Sequence, residues 1–416
     1  MSRRVVIPAL FSALACVVWS LPVGAASPAN EGAAAAAVSY LAASQLPSGG
    51  WDTSDPGDFA CGFSTADVAL AIAETGQTGT AWSAAEADAA IDAVANSSHS
   101  AWDYLDDQAE GLCGGPPSVG KSAQLIVLAA AAGQDPAAFD PSDDGTPVDL
   151  VAILDAGIGD GSYGSIYTTP LAAFANVALG RTVPVETVGW LLAQQSSNGG
   201  FETGLGTDVD STSLVVAALI AGGVDPQGDV ITDALGFLAG LRKADGGFTS
   251  FNADDPSNPN STAVAIIGIT AAGWDAEETC WSGADPATYV SPDQYLRSTQ
   301  TVDGSWPGFS PAFASAQAVQ GLLRSVLPPV VAPAQTCEVG RVDPVDPSGS
   351  GDPSGTAAPA PGSDPVGGAG GEGAGGTAPT LPATGVTSAG MALAIGLVLV
   401  LIGVSAVVTS RRRLEV

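Results

Sequence analysis

The chain has 416 residues, with 12 Lys and Arg against 43 Asp and Glu and a formal net charge of −31. Affinity for nucleic acid depends on Lys and Arg displacing counterions from phosphates, so this balance excludes DNA and RNA as partners. One histidine and five cysteines offer no zinc centre built from Asp, Cys and His, and no metal or cofactor is expected. His99, within Ser97-Ser98-His99-Ser100, reads as a solvated loop residue.

At the N-terminus, Arg3 and Arg4 precede the apolar stretch from Val5 to Val18, and Val23-Gly24-Ala25-Ala26 supply small residues for cleavage. Residues 1–26 are therefore read as an export signal outside the mature fold. Cys16 leaves with it. The four remaining cysteines, Cys61, Cys113, Cys280 and Cys337, permit three pairings in an oxidising compartment.

Residues 27–327 repeat one grammar: a helical stretch, a Gly-Gly-aromatic turn, a small polar pair, then a strongly apolar helix. The plainest copy runs from Trp190 through Gln195 and Gly199-Gly200-Phe201 to Asp210-Ser211-Thr212 and on to Pro226. The next has Gly246-Gly247-Phe248 and Asn260-Ser261-Thr262. Looser copies carry Gly49-Gly50-Trp51, His99 to Trp102, Gly161-Ser162-Tyr163 and Gly304-Ser305-Trp306. About six helix pairs result, at a spacing near fifty residues. Paired glycines tolerate positive φ and close a helix, while Ser, Thr, Asp or Asn caps the next one. The second helix of each pair, such as Leu125 to Ala132, is apolar nearly all round and predicts burial on every side. The first helices mix charged and apolar residues, as from Ala84 to Ile91, and predict a solvent face.

The spacing Gln-x-x-x-Gly-x-Trp/Phe, in Gln195 to Phe201 and Gln300 to Trp306, resembles the repeat of the terpenoid cyclase and protein prenyltransferase superfamily. The resemblance covers about Ser27 to Leu327. It implies an all-α fold, an (α/α)6 toroid with apolar helices inside and amphipathic helices outside. It also implies that equivalent loops of neighbouring pairs adjoin, which selects Cys61 with Cys113 and Cys280 with Cys337. The second bond would fasten the end of the toroid, worth ~3–4 kcal/mol in the chain-entropy account.

The same resemblance suggests chemistries that the residues can be held against. Squalene-type cyclases protonate an alkene with the middle aspartate of Asp-x-Asp-Asp. Here the match is Asp208-Val209-Asp210-Ser211, which puts Asp210 in the donor position and Ser211 where a partner carboxylate is expected. An N-cap role accounts for Asp210 equally well. The thioester motif of related surface domains is missing at Cys61-Gly62-Phe63 and Cys113-Gly114-Gly115-Pro116, and Gly120-Lys121-Ser122 reads as a helix start. Aromatic content is only 6 %. In a toroid the turns surround one mouth, and Tyr167, Asp208, Asp210, Asn260, Phe309 and Phe313 are its candidate ligand-binding residues.

Residues 328–380 are rich in Pro, Gly, Ala and Ser, and from Asp343 to Thr380 lack aromatic and basic residues, which predicts a disordered spacer. Leu381-Pro382-Ala383-Thr384-Gly385 then precedes an uncharged apolar run, Ala389 to Val408, and Arg411-Arg412-Arg413. This order resembles the LPxTG sorting signal of Gram-positive surface proteins. The resemblance implies that residues 381–416 hold the chain in the membrane as a sorting intermediate, through one transmembrane helix of roughly twenty residues. A sortase would then cut after Thr384 and join it to peptidoglycan. The expected function is a wall-anchored, non-catalytic toroid for adhesion or for binding cobalamin or another hydrophobic small molecule. The alternative is an exported terpene cyclase with Asp210 as proton donor.

Overall fold

The computed structural model describes residues 26–51, 64–79, 81–96, 99–112, 115–204, 206–250, 254–308, 310–325, 328 and 330–336. All of them fall in the compact unit Met1–Gly351. The export signal, Cys61, Cys113, Phe309, Cys337, most of the spacer and the whole sorting signal lie outside the described residues. Among those described, no helix is long and apolar enough to cross a membrane.

Thirteen helices and one short hairpin make up the described fold. In chain order the helices are α1 (Pro28–Ser44), α2 (Thr65–Thr75), α3 (Ala84–Ala93), α4 (Ala101–Ala109), α5 (Val119–Ala132), α6 (Leu150–Ala156) and α7 (Thr168–Ala178). There follow α8 (Val185–Leu192), α9 (Val209–Ala221), α10 (Asp229–Leu241), α11 (Pro259–Ala271), α12 (Pro292–Thr299) and α13 (Pro311–Leu323). Helices α2, α5, α7, α9, α11 and α13 each pack on the next, and α13 returns to α2. That closes a six-membered inner ring. Around it, α1 packs on α13 and α2, α6 on α5, α8 on α7 and α9, α10 on α9, and α12 on α11 and α13.

One interlock recurs between pairs and explains the sequence repeat. The Gln195 amide donates to the Gly199 carbonyl at 3.0 Å and to the Val230 carbonyl of α10 at 2.8 Å, so it ties its own turn to the next outer helix. Gln300 does the same with Gly304 and Ala33 of α1, both at 2.9 Å. In the copy between them Arg242 stands in the glutamine position and reaches the Val290 carbonyl at 3.0 Å. The turn aromatic then fixes the inner helix: Phe201 N–H donates to Thr212 Oγ1 at 3.1 Å and Trp306 N–H to Ser315 Oγ at 3.0 Å. Trp51, Tyr163 and Phe248 make the equivalent bond to Thr65, Thr169 and Thr262.

Gly304 shows why the turns need glycine. Its φ is +91°, and a Cβ there would lie 2.3 Å from the Ala36 carbonyl oxygen on α1. This is the contact where the last pair meets the first. Gly304→Ala is expected to cost about 2–4 kcal/mol, because strained backbone and a clash with main chain add. Urea unfolding would show the loss as a lower midpoint.

Two expectations are corrected here. His99 to Trp102 is no aromatic turn: His99 pairs with Asn96 in a two-stranded hairpin, and Ser100 and Asp103 form a capping box that opens α4. Trp102 is thereby placed inside α4, 3 % exposed, edge-on to Phe139 at 6.4 Å. The reciprocal cap satisfies two helix-end groups and outweighs the turn alternative. Nor are the inner helices buried on every side. Leu171, Leu214, Ile267, Gln317 and Gln320 each keep solvent-accessible surface.

Candidate active site

The Ser/Thr positions that hold the turn aromatics, Thr65, Thr169, Thr212, Thr262 and Ser315, face the turns and so set the register of each inner helix. At about 100° per residue, positions two before, two after and five after lie on the opposite side, toward the ring's interior. Two before are Tyr167, Asp210, Asn260 and Phe313. Two after are Asp67, Leu171, Leu214, Val264 and Gln317, and five after include Phe174, Ile267 and Gln320. Beyond the polar groups at their N-terminal ends, α7, α9 and α11 present apolar side chains, whereas α2 and α13 present a carboxylate and amides.

Two carboxylates dominate the mouth. Asp208 caps α9, accepting the Ser211 N–H at 2.8 Å, and is fully buried. Asp210 lies one turn position inside the helix, and its Oδ2 accepts the Ser250 hydroxyl at 3.0 Å. Asp208 Oδ2 and Asp210 Oδ1 are both enclosed without a hydrogen-bond partner. Burial first, then the charge of Asp210, pushes the Asp208 carboxyl up to about 7. Burial likewise raises Asp210, against the opposing pull of Ser261 and Ser250. Tyr167 closes the group from α7: burial and then the charge of Asp208 raise its phenol, and Ser211 interacts with it. Burial thus raises both carboxyls of the pair, with the hydroxyls of Ser250 and Ser261 acting against it at Asp210.

The N-cap expected of Asp210 thus belongs to Asp208, since α9 begins at Val209 and only Asp208 adopts the extended cap conformation. The partner carboxylate lacking at Ser211 is supplied from the other side by Asp208. Of the remaining rim candidates, Asn260 donates to Gln317 at 2.9 Å across α11 and α13, and Phe313 is partly buried at the start of α13. Phe309 lies outside the described residues.

Sequence reasoning missed three lumen groups. Asp67 is raised to about 6 by burial, with Lys121 acting the opposite way. Glu74, 6 % exposed, has both carboxyl oxygens enclosed without partners, and burial holds its pKa well above the ordinary value. Ser250 arrives from a neighbouring turn. The register of the aromatic-binding threonines would have found the first two. Among the described residues, the one carboxylate group with metal-ligating spacing is Asp106, Asp140 and Asp144, on α4 and the loop after α5.

No protein-family model matches the chain, and no curated protein matches it. Solved structures do. A variant of the type II terpene cyclase MstE from Scytonema, in complex with geranylgeranyl dihydroxybenzoate as substrate, is 17 % identical. The match covers 71 % of this chain and 97 % of that one with a TM-score of 0.51. The apo form of MstE matches at the same identity and TM-score over 71 % and 98 %. The fold is that of the terpene-cyclase-like toroids.

Proposed function

We propose that this chain is a type II terpene cyclase-like enzyme that starts cyclisation of a polyprenyl chain by protonating a carbon–carbon double bond. Asp210 is the proton donor, burial keeps it protonated, Asp208 and Tyr167 enclose it, and the apolar side chains from α7 to α11 fold the chain. The observation that carries the reading is the enclosed Oδ1 of Asp210, without a partner, beside a second carboxyl raised to about 7. An alkene is a very weak base, so a donor must be dry, protonated and unshared. The proton passes from Asp210 to one alkene carbon, the other carbon becomes a tertiary cation, and the next double bond attacks it. Loss of a proton from the last cation leaves a neutral ring product, with no net oxidation. The likeness to MstE, whose substrate carries a geranylgeranyl group, favours this reading over a non-catalytic binding protein.

Incubation of the purified protein with geranylgeranyl-bearing substrates, followed by mass spectrometry, tests it. An isomeric product of equal mass is expected, formed more slowly as pH rises and the acid, which burial raises above the ordinary carboxylate range, is lost. No product from any such substrate returns the toroid to a binding role.

We also propose export and attachment to the wall through Thr384, on the strength of the two terminal signals. The return of residues 330–336 to α11, where Ala332 N–H donates to Ala271 O at 2.9 Å and Gln335 N–H to Gly273 O at 2.8 Å, supports the pairing of Cys280 with Cys337. Peptide mapping of the unreduced protein checks that bond, and loss of wall-bound protein on Thr384→Ala checks the anchor.

A further inference from the structure

We infer that Asp106, Asp140 and Asp144 form a calcium site outside the inner ring of helices, which pins the loop after α5 to α4. Each of the three offers a carboxylate oxygen, and these oxygens lie within 4.8 Å of one another. Asp106 is the observation that makes this more than a patch of surface acid. Its side chain is 2 % exposed, and its Oδ1 is enclosed with no hydrogen-bond partner, while Oδ2 accepts the Ser142 N–H at 3.1 Å. A buried carboxylate oxygen left without a donor costs free energy unless something cationic faces it. Among the described residues, none of the ion pairs reaches this group.

A second unpartnered oxygen lies on the same face. Glu110 stands four residues after Asp106 at the end of α4, and its Oε1 is also enclosed without a partner. Positions four apart on a helix are neighbours, so Glu110 adds negative charge close to Asp106, although its oxygens are not among the three gathered at the loop.

The loop itself has the residue order of a calcium-binding turn. Asp140-Pro141-Ser142-Asp143-Asp144-Gly145 places oxygen-bearing side chains at its first, third and fifth positions and glycine at the sixth. The Asp140 carboxylate accepts N–H groups from Asp144 at 3.0 Å and Gly145 at 3.1 Å, which turns the loop about it. The twelfth position, where such loops carry a bidentate glutamate, is Val151. Here α4 fills that place from a different element. Hard oxygen ligands at several positions, with three negative charges, suit calcium over softer metals and over small, strictly octahedral magnesium.

Calorimetric titration of the EDTA-stripped full-length protein with CaCl2 is the test. One ion per chain is expected, with a Kd of roughly 10⁻⁵–10⁻³ M, together with a rise in Tm and weaker binding of MgCl2. Asp106→Asn risks misfolding, so the double change Asp140→Asn with Asp144→Asn, both outside the core, provides the control. It is expected to weaken calcium at least about tenfold and to abolish the calcium-dependent rise in Tm. Terbium emission sensitised by tryptophan and displaced by calcium would report the same site. Absence of calcium binding up to about 10 mM, or binding that the double variant leaves unchanged, overturns the assignment. So does tighter binding of magnesium.

Discussion

Asp210→Asn is expected to lower turnover of a polyprenyl substrate about 10³-fold or more while leaving the fold intact. General acids are worth roughly 10²–10⁴ in rate, and the upper end applies to a donor enclosed from water. Asparagine matches aspartate in size and keeps an oxygen for the Ser250 hydroxyl, which now donates to Asp210 at 3.0 Å. What disappears is the acidic proton. Stability should hold or rise at alkaline pH, since the substitution removes a carboxyl whose ionised form is disfavoured by burial. Asp208→Asn separates this donor from its neighbour. Repulsion between the two carboxyls is mutual, so with one of them removed the other ionises more readily, turnover survives in acid and its decline moves to lower pH. Initial rates across pH, with circular dichroism for folding, distinguish the two variants. Full activity in Asp210→Asn would move the donor elsewhere, with Glu74 and Asp67 as the remaining raised carboxyls in the interior.

The toroid was legible because its interlock is local in sequence. Gln195, Gly199, Phe201 and Thr212 sit within eighteen residues, and every bond among them follows from type and spacing. The seam between Gln300 and Ala33, 267 residues apart, follows once the repeat is counted round the ring. The site was harder to read for two reasons. Which aspartate caps α9 depends on one residue of register, and Val209 shifts the cap to Asp208. The raised acidity of the pair depends on burial, and burial comes from α7 and the 250 turn, which the local sequence around Asp210 does not contain. The inward direction of Glu74 follows from its register with Thr65, nine residues earlier, but its raised pKa depends on burial that the closed ring supplies.

The folded state is expected to lose stability as pH rises from about 4 to 7, the reverse of the common behaviour of acidic proteins. Burial raises Asp208 to about 7 and both Asp67 and Asp293 to about 6, and holds Glu74 well above its ordinary value, whereas their unfolded values lie near 4. Below about pH 4 both states hold these protons and the stabilisation is complete. As pH rises the unfolded chain releases them first, so stability falls with pH until each folded group has ionised, near 6 to 7. Asp208 alone accounts for on the order of 4 kcal/mol across that window. Asp293 acts in the same direction although Arg324, 3.3 Å away, and the Asn30 amide, at 2.8 Å, favour its ionised form, because complete burial outweighs both. The depressed carboxyls, Asp303 and Glu86, lose their contribution only as pH falls through their own lowered values, below the window in question. Growing net charge, already −31 at neutrality, adds repulsion in the same direction. Urea unfolding at pH 4.5 and pH 7.5, at fixed ionic strength, should give the higher midpoint in acid, and Asp208→Asn should flatten the difference. A midpoint that rises toward pH 7.5 would mean that these carboxyls are ionised in the folded protein across the window, against the burial that raises them.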